Sequence, residues 1–105
     1  MAAYDLYGFK GASIFEAKSK IEGKLNISFE GRDSSYQGGV YYKFGEKESE
    51  VFIVKRNIDP FDGEPVEKMF SDYPVLLYVD VTLRSEEIKS FLGTEFNLLR
   101  HEFFD

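Results

Sequence analysis

The eight residues Val75-Leu76-Leu77-Tyr78-Val79-Asp80-Val81-Thr82 constrain the fold more than any other stretch of this chain. They form a nearly unbroken apolar, β-branched run, which places them at the centre of a sheet. Everything else must be arranged around that strand.

Upstream, Tyr4 to Phe9 mixes aromatic and aliphatic residues with one polar interruption and reads as a first strand. Ser13 stands three residues before Glu16, a capping-box spacing, and Ile14, Ala17, Ile21 and Leu25 then follow on one helical stripe. Gly23, near the end of that helix, costs about 1 kcal/mol relative to alanine and predicts fraying or a close backbone approach. From Leu25 the period changes to alternation, with Leu25, Ile27 and Phe29 on one side, so a strand is expected almost directly after the helix. A polar connection over 31–38 leads to a strand in which Val40, Tyr42 and Phe44 alternate with Tyr41 and Lys43. After a turn at 45–49, Val51 to Val54 supplies a third, and the three make a meander.

Asn57 to Pro74 is a long connection, in which Pro65 opens a short helix through Phe70 with Val66, Met69 and Phe70 as buried contacts. Beyond the central strand, Ser85 is expected to cap a second helix with Ile88, Phe91 and Leu92 inward and Gly93 at its end. Phe96 to Phe103 closes the chain as a last strand. This order predicts one α+β domain over residues 1–105, a two-layer sandwich distantly like a ferredoxin-type arrangement. Its sheet is mixed and mostly antiparallel, with about six strands and both main helices on one face.

The chemistry is defined largely by exclusion. Without cysteine there are no disulfides, thiolate nucleophiles or cysteine-ligated metals. No apolar run approaches the roughly 20 residues of a membrane helix, and the first residues lack a signal-peptide pattern, so a cytoplasmic protein is expected. His101, the one histidine, has no nucleophile elbow to serve and reads as a surface strand residue. As an EF-hand loop, the stretch from Asn57 places Phe61, Asp62 and Lys68 where an oxygen ligand, a glycine and a bidentate glutamate are required. Gly38-Gly39 precedes a strand instead of opening a helix, unlike a phosphate loop. Neither a catalytic residue nor a cofactor or metal site is assigned. Asp80, inside the apolar strand, is expected to face outward with Tyr78 or to have a raised pKa if buried.

Two regions read as partner-binding instead. Arg32, Asp33 and Tyr36 lie close to Tyr41 and Tyr42, and not all three tyrosines can face inward; tyrosine and arginine most often anchor interfaces. Asp59, Asp62, Glu64 and Glu67 form an acidic connection, which with a net charge of -6 suits a basic protein partner and opposes direct nucleic-acid binding.

The run Ile21-Glu22, Leu25, Phe29, Arg32-Asp33-Ser34-Ser35-Tyr36, Gly38-Gly39 and Tyr41-Tyr42 resembles a pattern in small immunity proteins that accompany bacterial polymorphic toxins, including those of contact-dependent growth inhibition. The resemblance implies a cytosolic protein that is not an enzyme. It implies binding to a cognate toxin domain, often a nuclease, whose active site or substrate surface is blocked. Two other classes stay open: a ligand-binding or enzymatic domain with a pocket using Tyr42, Asp80 or His101, and a module that acts as a homo-oligomer.

Overall fold

The computed structural model describes residues 2–34, 39–46 and 48–104. Six strands, β1 (Ala2–Phe9), β2 (Glu30–Ser34), β3 (Gly39–Phe44), β4 (Val51–Arg56), β5 (Val75–Thr82) and β6 (Phe96–Phe104), form one sheet in the order β2-β3-β4-β5-β1-β6. Helices α1 (Ile14–Leu25) and α2 (Ser85–Leu92) follow β1 and β5. The expected α+β architecture is therefore present, with one refinement: every neighbouring pair of strands is antiparallel. The two strand-helix-strand units do give parallel strands, but those strands are never neighbours. β1 lies between β5 and β6, while β5, β4 and β3 lie between β1 and β2.

Both helices pack on one face. Ile14, Ala17 and Ile21 from α1 and Ile88 and Leu92 from α2 join Tyr7, Phe9, Phe52, Val54, Val75, Leu77, Val79 and Phe96 in a single buried cluster. The Ser13 hydroxyl accepts the Glu16 N–H at 3.0 Å, as the capping spacing requires. Gly23 sits in regular helix with open space where a Cβ would be, so neither fraying nor close approach accounts for it. β5 is central as expected, with β4 and β1 on its two sides.

Four local expectations are corrected. The strand expected from Leu25 begins only at Glu30, because Asn26 ends α1 in a left-handed conformation and the Glu22 carboxylate takes the Phe29 N–H at 2.7 Å. β2 itself is polar because it is an edge strand, and it occupies residues read as connection. The helix expected from Pro65 is reduced to a single 3-10 turn at Lys68–Phe70, with Val66 and Met69 exposed. At the second helix Arg84, not Ser85, holds the cap position, and Phe91 faces solvent at 49% exposure. An eight-residue helix needs only the Ile88–Leu92 pair to fix it to the sheet.

The β3–β4 turn depends on Gly45, whose φ of 104° is a conformation L side chains rarely adopt and whose Cβ, if present, would overlap the Glu50 carbonyl. Gly45→Ala is expected to cost about 2–3 kcal/mol, read by urea denaturation, because backbone must move to admit it. Gly23→Ala serves as the control and is expected to stabilise by about 1 kcal/mol.

Candidate functional site

The face of the sheet away from the helices is roofed by the connection between β4 and β5. Strand alternation points Lys55, Leu76 and Tyr78 there, opposite to Val54, Leu77 and Val79 in the helix-side core. Asn57, itself 6% exposed, ties the roof down. Its Nδ2 donates to the carbonyls of Phe70 and Tyr73, both at 3.1 Å, and lies 3.5 Å from that of Glu67. Its Oδ1 accepts the Glu67 N–H at 2.9 Å, and its own N–H donates to Pro74. One side chain thus closes the connection in place of secondary structure, which explains why so little helix is needed.

Beneath the roof Glu67 accepts from the Tyr78 hydroxyl at 2.6 Å and from both terminal nitrogens of Arg100 at 3.1 and 3.3 Å. Burial pushes the Glu67 carboxyl up, but the hydrogen bonds from Arg100 and Tyr78 outweigh it and hold the group below its usual range. Burial also lowers the pKa of Lys55, against the opposing charges of Glu67 and Asp59. Glu67, expected as a partner contact, is therefore engaged inside the molecule and holds the loop in position.

The remaining acidic residues lie on a tight turn, with Asp62 and Glu64 exposed and Asp59 half-buried. Asp59 Oδ1 accepts the Phe61 N–H at 2.8 Å and Asp62 Oδ1 the Glu64 N–H at 2.9 Å, while the Asp59 N–H donates to Glu64 and the Gly63 N–H to Asp59. Aspartates favour such self-bonding turns, so the residue types that make the loop acidic also give it its shape. Phe61 and Met69, on the same connection, are 78% and 89% exposed. Among the described residues, no group of three or more His, Asp or Glu side chains is placed to hold a metal ion.

The other predicted contact region lies at the opposite edge of the sheet. Arg32 and Asp33 are exposed on β2, where Arg32 pairs with Glu30 at 3.0 Å. Tyr41 and Tyr42 are half-buried on β3; Tyr42 packs against the core edge, with the Lys18 ammonium 5.5 Å from its ring centre. Tyr36 lies outside the described residues. The acidic loop leans over β5, β1 and β6, with Tyr73 against Gly8 and its hydroxyl accepting from Asn97, so the two predicted regions are not brought together. Asp80 is half-buried on the face of Tyr78, and burial raises its pKa.

Sequence reading missed a third constellation, at the sheet end where β5 meets α2. Asp5, 2% exposed, binds the His101 Nδ1 through Oδ1 at 2.5 Å. Val81 has a φ of 56°, a genuine strain for a β-branched residue, at an irregularity that shifts the β1–β5 register. Past it the Thr82 hydroxyl donates to Glu50 at 2.7 Å, and Arg84 reaches the same carboxylate through Nε and Nη2. The one legible signal was the carboxylate of Asp5 in an otherwise apolar-aromatic first strand.

The chain matches no family model, no curated protein and no solved structure. The geometry therefore carries the functional reading. Burial raises the Glu50 carboxyl too, but hydrogen bonds from Arg84 and Thr82 prevail and its pKa is lowered, as for Glu67. A carboxylate with a depressed folded-state pKa contributes stability above its unfolded value, lost as pH falls through the folded value. Stability is expected to fall as pH drops through and below about 4.5, the ordinary glutamate value here. Urea denaturation across that range checks this, and the Glu50→Gln, Glu67→Gln double variant should show a shallower acid decline.

Proposed function

We propose that this protein is an immunity protein, a non-catalytic inhibitor that binds a cognate basic toxin domain of the nuclease type. The observation that carries the reading is the outward display of Phe61 and Met69 beside Asp59, Asp62 and Glu64 on a connection pinned by Asn57. Large apolar side chains standing among carboxylates on a tied loop suit an interface with hydrophobic anchors and a charged rim. Because the loop is already ordered by internal bonds, binding spends little entropy on arranging it. A nuclease domain needs a positive groove for phosphates, and that groove attracts a chain of net charge -6.

Arg32 and Asp33 on the β2 edge, with Tyr41 behind them, offer a second surface to the same class of partner. The resemblance noted above spans this edge, whereas the exposed apolar anchors favour the loop. The reading is tested by looking for a toxin gene beside this one and mixing the purified chain with the toxin domain such a gene encodes, then measuring complex formation and residual nuclease activity. A stoichiometric complex with nuclease activity suppressed is expected. Full nuclease activity at saturating chain would refute the proposal.

A further inference from the structure

The Asp5–His101 pair is not used by that reading and faces a different part of the surface. Of the two, His101 lines an open hollow of about 430 Å³ together with Leu83, Ser85, Glu86, Glu87 and Phe103, and Asp5 lies behind the imidazole as its hydrogen-bond partner. A carboxylate accepts hydrogen bonds, so the proton between Asp5 and His101 belongs to imidazole Nδ1. In the neutral ring this leaves Nε2, on the far side from Asp5, as a bare acceptor. Phe103 packs edge-on against the imidazole at 4.6 Å and fixes its plane. The geometry is that of an orienting carboxylate behind a histidine whose free nitrogen is offered outward.

The surrounding charge decides what such an acceptor serves. Among the described residues nothing donates to Asp5 Oδ2, although Asp5 is almost fully buried, and the Ser85 hydroxyl in the wall is likewise buried without a partner. A buried carboxylate answered on one oxygen alone leaves negative potential, which a cation in front of the imidazole would offset. Asp5 and Glu86 both act on the buried Tyr7 hydroxyl, which burial first and these two charges next push well above the ordinary phenol range. Two features oppose a cation. The positive end of the α2 dipole is met by Glu86 and Glu87 in its first turn, and the Arg84 guanidinium is already claimed by Glu50. Leu83, 84% exposed, and Phe103, 57% exposed, supply apolar walls.

We propose that this hollow binds an alkyl-ammonium or alkyl-guanidinium group, with His101 Nε2 and the Glu86 and Glu87 carboxylates accepting its hydrogen bonds and Leu83 and Phe103 flanking its stem. Such a group is carried by free polyamines and by lysine or arginine side chains of a partner alike. The inference does not depend on the toxin-binding loop, which covers the opposite face of the sheet.

His101 is the chain's one histidine, so its ring signals are unambiguous by NMR. Titrating the full chain with n-butylammonium and n-butylguanidinium is expected to shift those signals saturably, with a dissociation constant on the order of 1 mM. Glu86→Gln with Glu87→Gln should weaken binding about tenfold by removing charge at the rim. Asp5→Asn should lower affinity and change the imidazole tautomer; if it fails to fold, His101→Gln, read at the Leu83 and Phe103 amides, serves instead. Spermidine and a blocked lysine tripeptide separate the sources: binding of both admits a partner side chain, whereas binding of spermidine alone restricts the hollow to free amines. Equal shifts with n-butanol, stronger shifts with butyrate, or no saturable shift with either cation would overturn the proposal.

Discussion

Replacing Asp59, Asp62 and Glu64 together with lysine is expected to weaken binding of the proposed basic partner about a thousandfold. Asp62 and Glu64 are exposed, whereas Asp59 is half-buried and its charge acts on Lys55, so the Asp59 change and the lost Asp59 and Asp62 turn bonds will loosen the loop tip. Rim charges act mainly on encounter, so much of the loss should appear as slower association that becomes less pronounced at high salt. Phe61→Ala separates the two contributions. A central apolar anchor acts on residence time, and its truncation typically costs 2 kcal/mol or more, roughly thirtyfold in dissociation rate. Surface plasmon resonance at low and high ionic strength reads both. If the charge-reversed chain binds as tightly as the natural one, the loop is not the contact.

Asn57→Ala is expected to be the most damaging single substitution outside the hydrophobic core, costing about 3 kcal/mol. The loss would come from four backbone groups on the connection, the carbonyls of Glu67, Phe70 and Tyr73 and the Glu67 N–H, which one amide now serves. Part-buried groups left without partners are costly, and water can satisfy them only if the roof lifts from β5. Lifting it would also release Glu67 from Tyr78 and Arg100 and expose Lys55. Asn57→Asp retains the acceptor but loses the donors and should be destabilised as well. Chemical denaturation together with hydrogen exchange at the Glu67 amide checks this. A loss below about 0.5 kcal/mol, the range of ordinary surface substitutions, would mean that the loop is held by something else.

The parts of the fold that were legible in sequence are those governed by period and capping. Ile14, Ala17 and Ile21 repeat at helical spacing and are buried as that spacing demands, and the apolar run from Val75 lies at the centre of the sheet. What was not legible depends on partners far away in the chain. Glu30–Ser34 is a strand because β3 pairs with it, not because its own polar residues favour extension. Val66 and Met69 looked like the inward face of a helix, yet the connection is held by Asn57 through the Glu67 N–H and the Phe70 and Tyr73 carbonyls and forms only a single 3-10 turn, with both side chains exposed. Asp5 and His101 are separated by nearly the whole chain and meet only because β1 pairs with β6, so neither residue alone carried the signal. Of the residues read as partner contacts, Asp59, Asp62 and Glu64 came together by being near one another in sequence. Glu67, three positions further on, was drawn inward by Tyr78 and Arg100.

The most direct test of the central claim is to record backbone amide signals of the isotopically labelled chain as a candidate basic nuclease toxin domain, the proposed partner, is added. Perturbations centred on Asp59 to Met69, with the exposed surfaces of α1 and α2 unchanged, are predicted. Saturation of the complex with that loop unperturbed, or with changes confined to the helical face, would contradict the account.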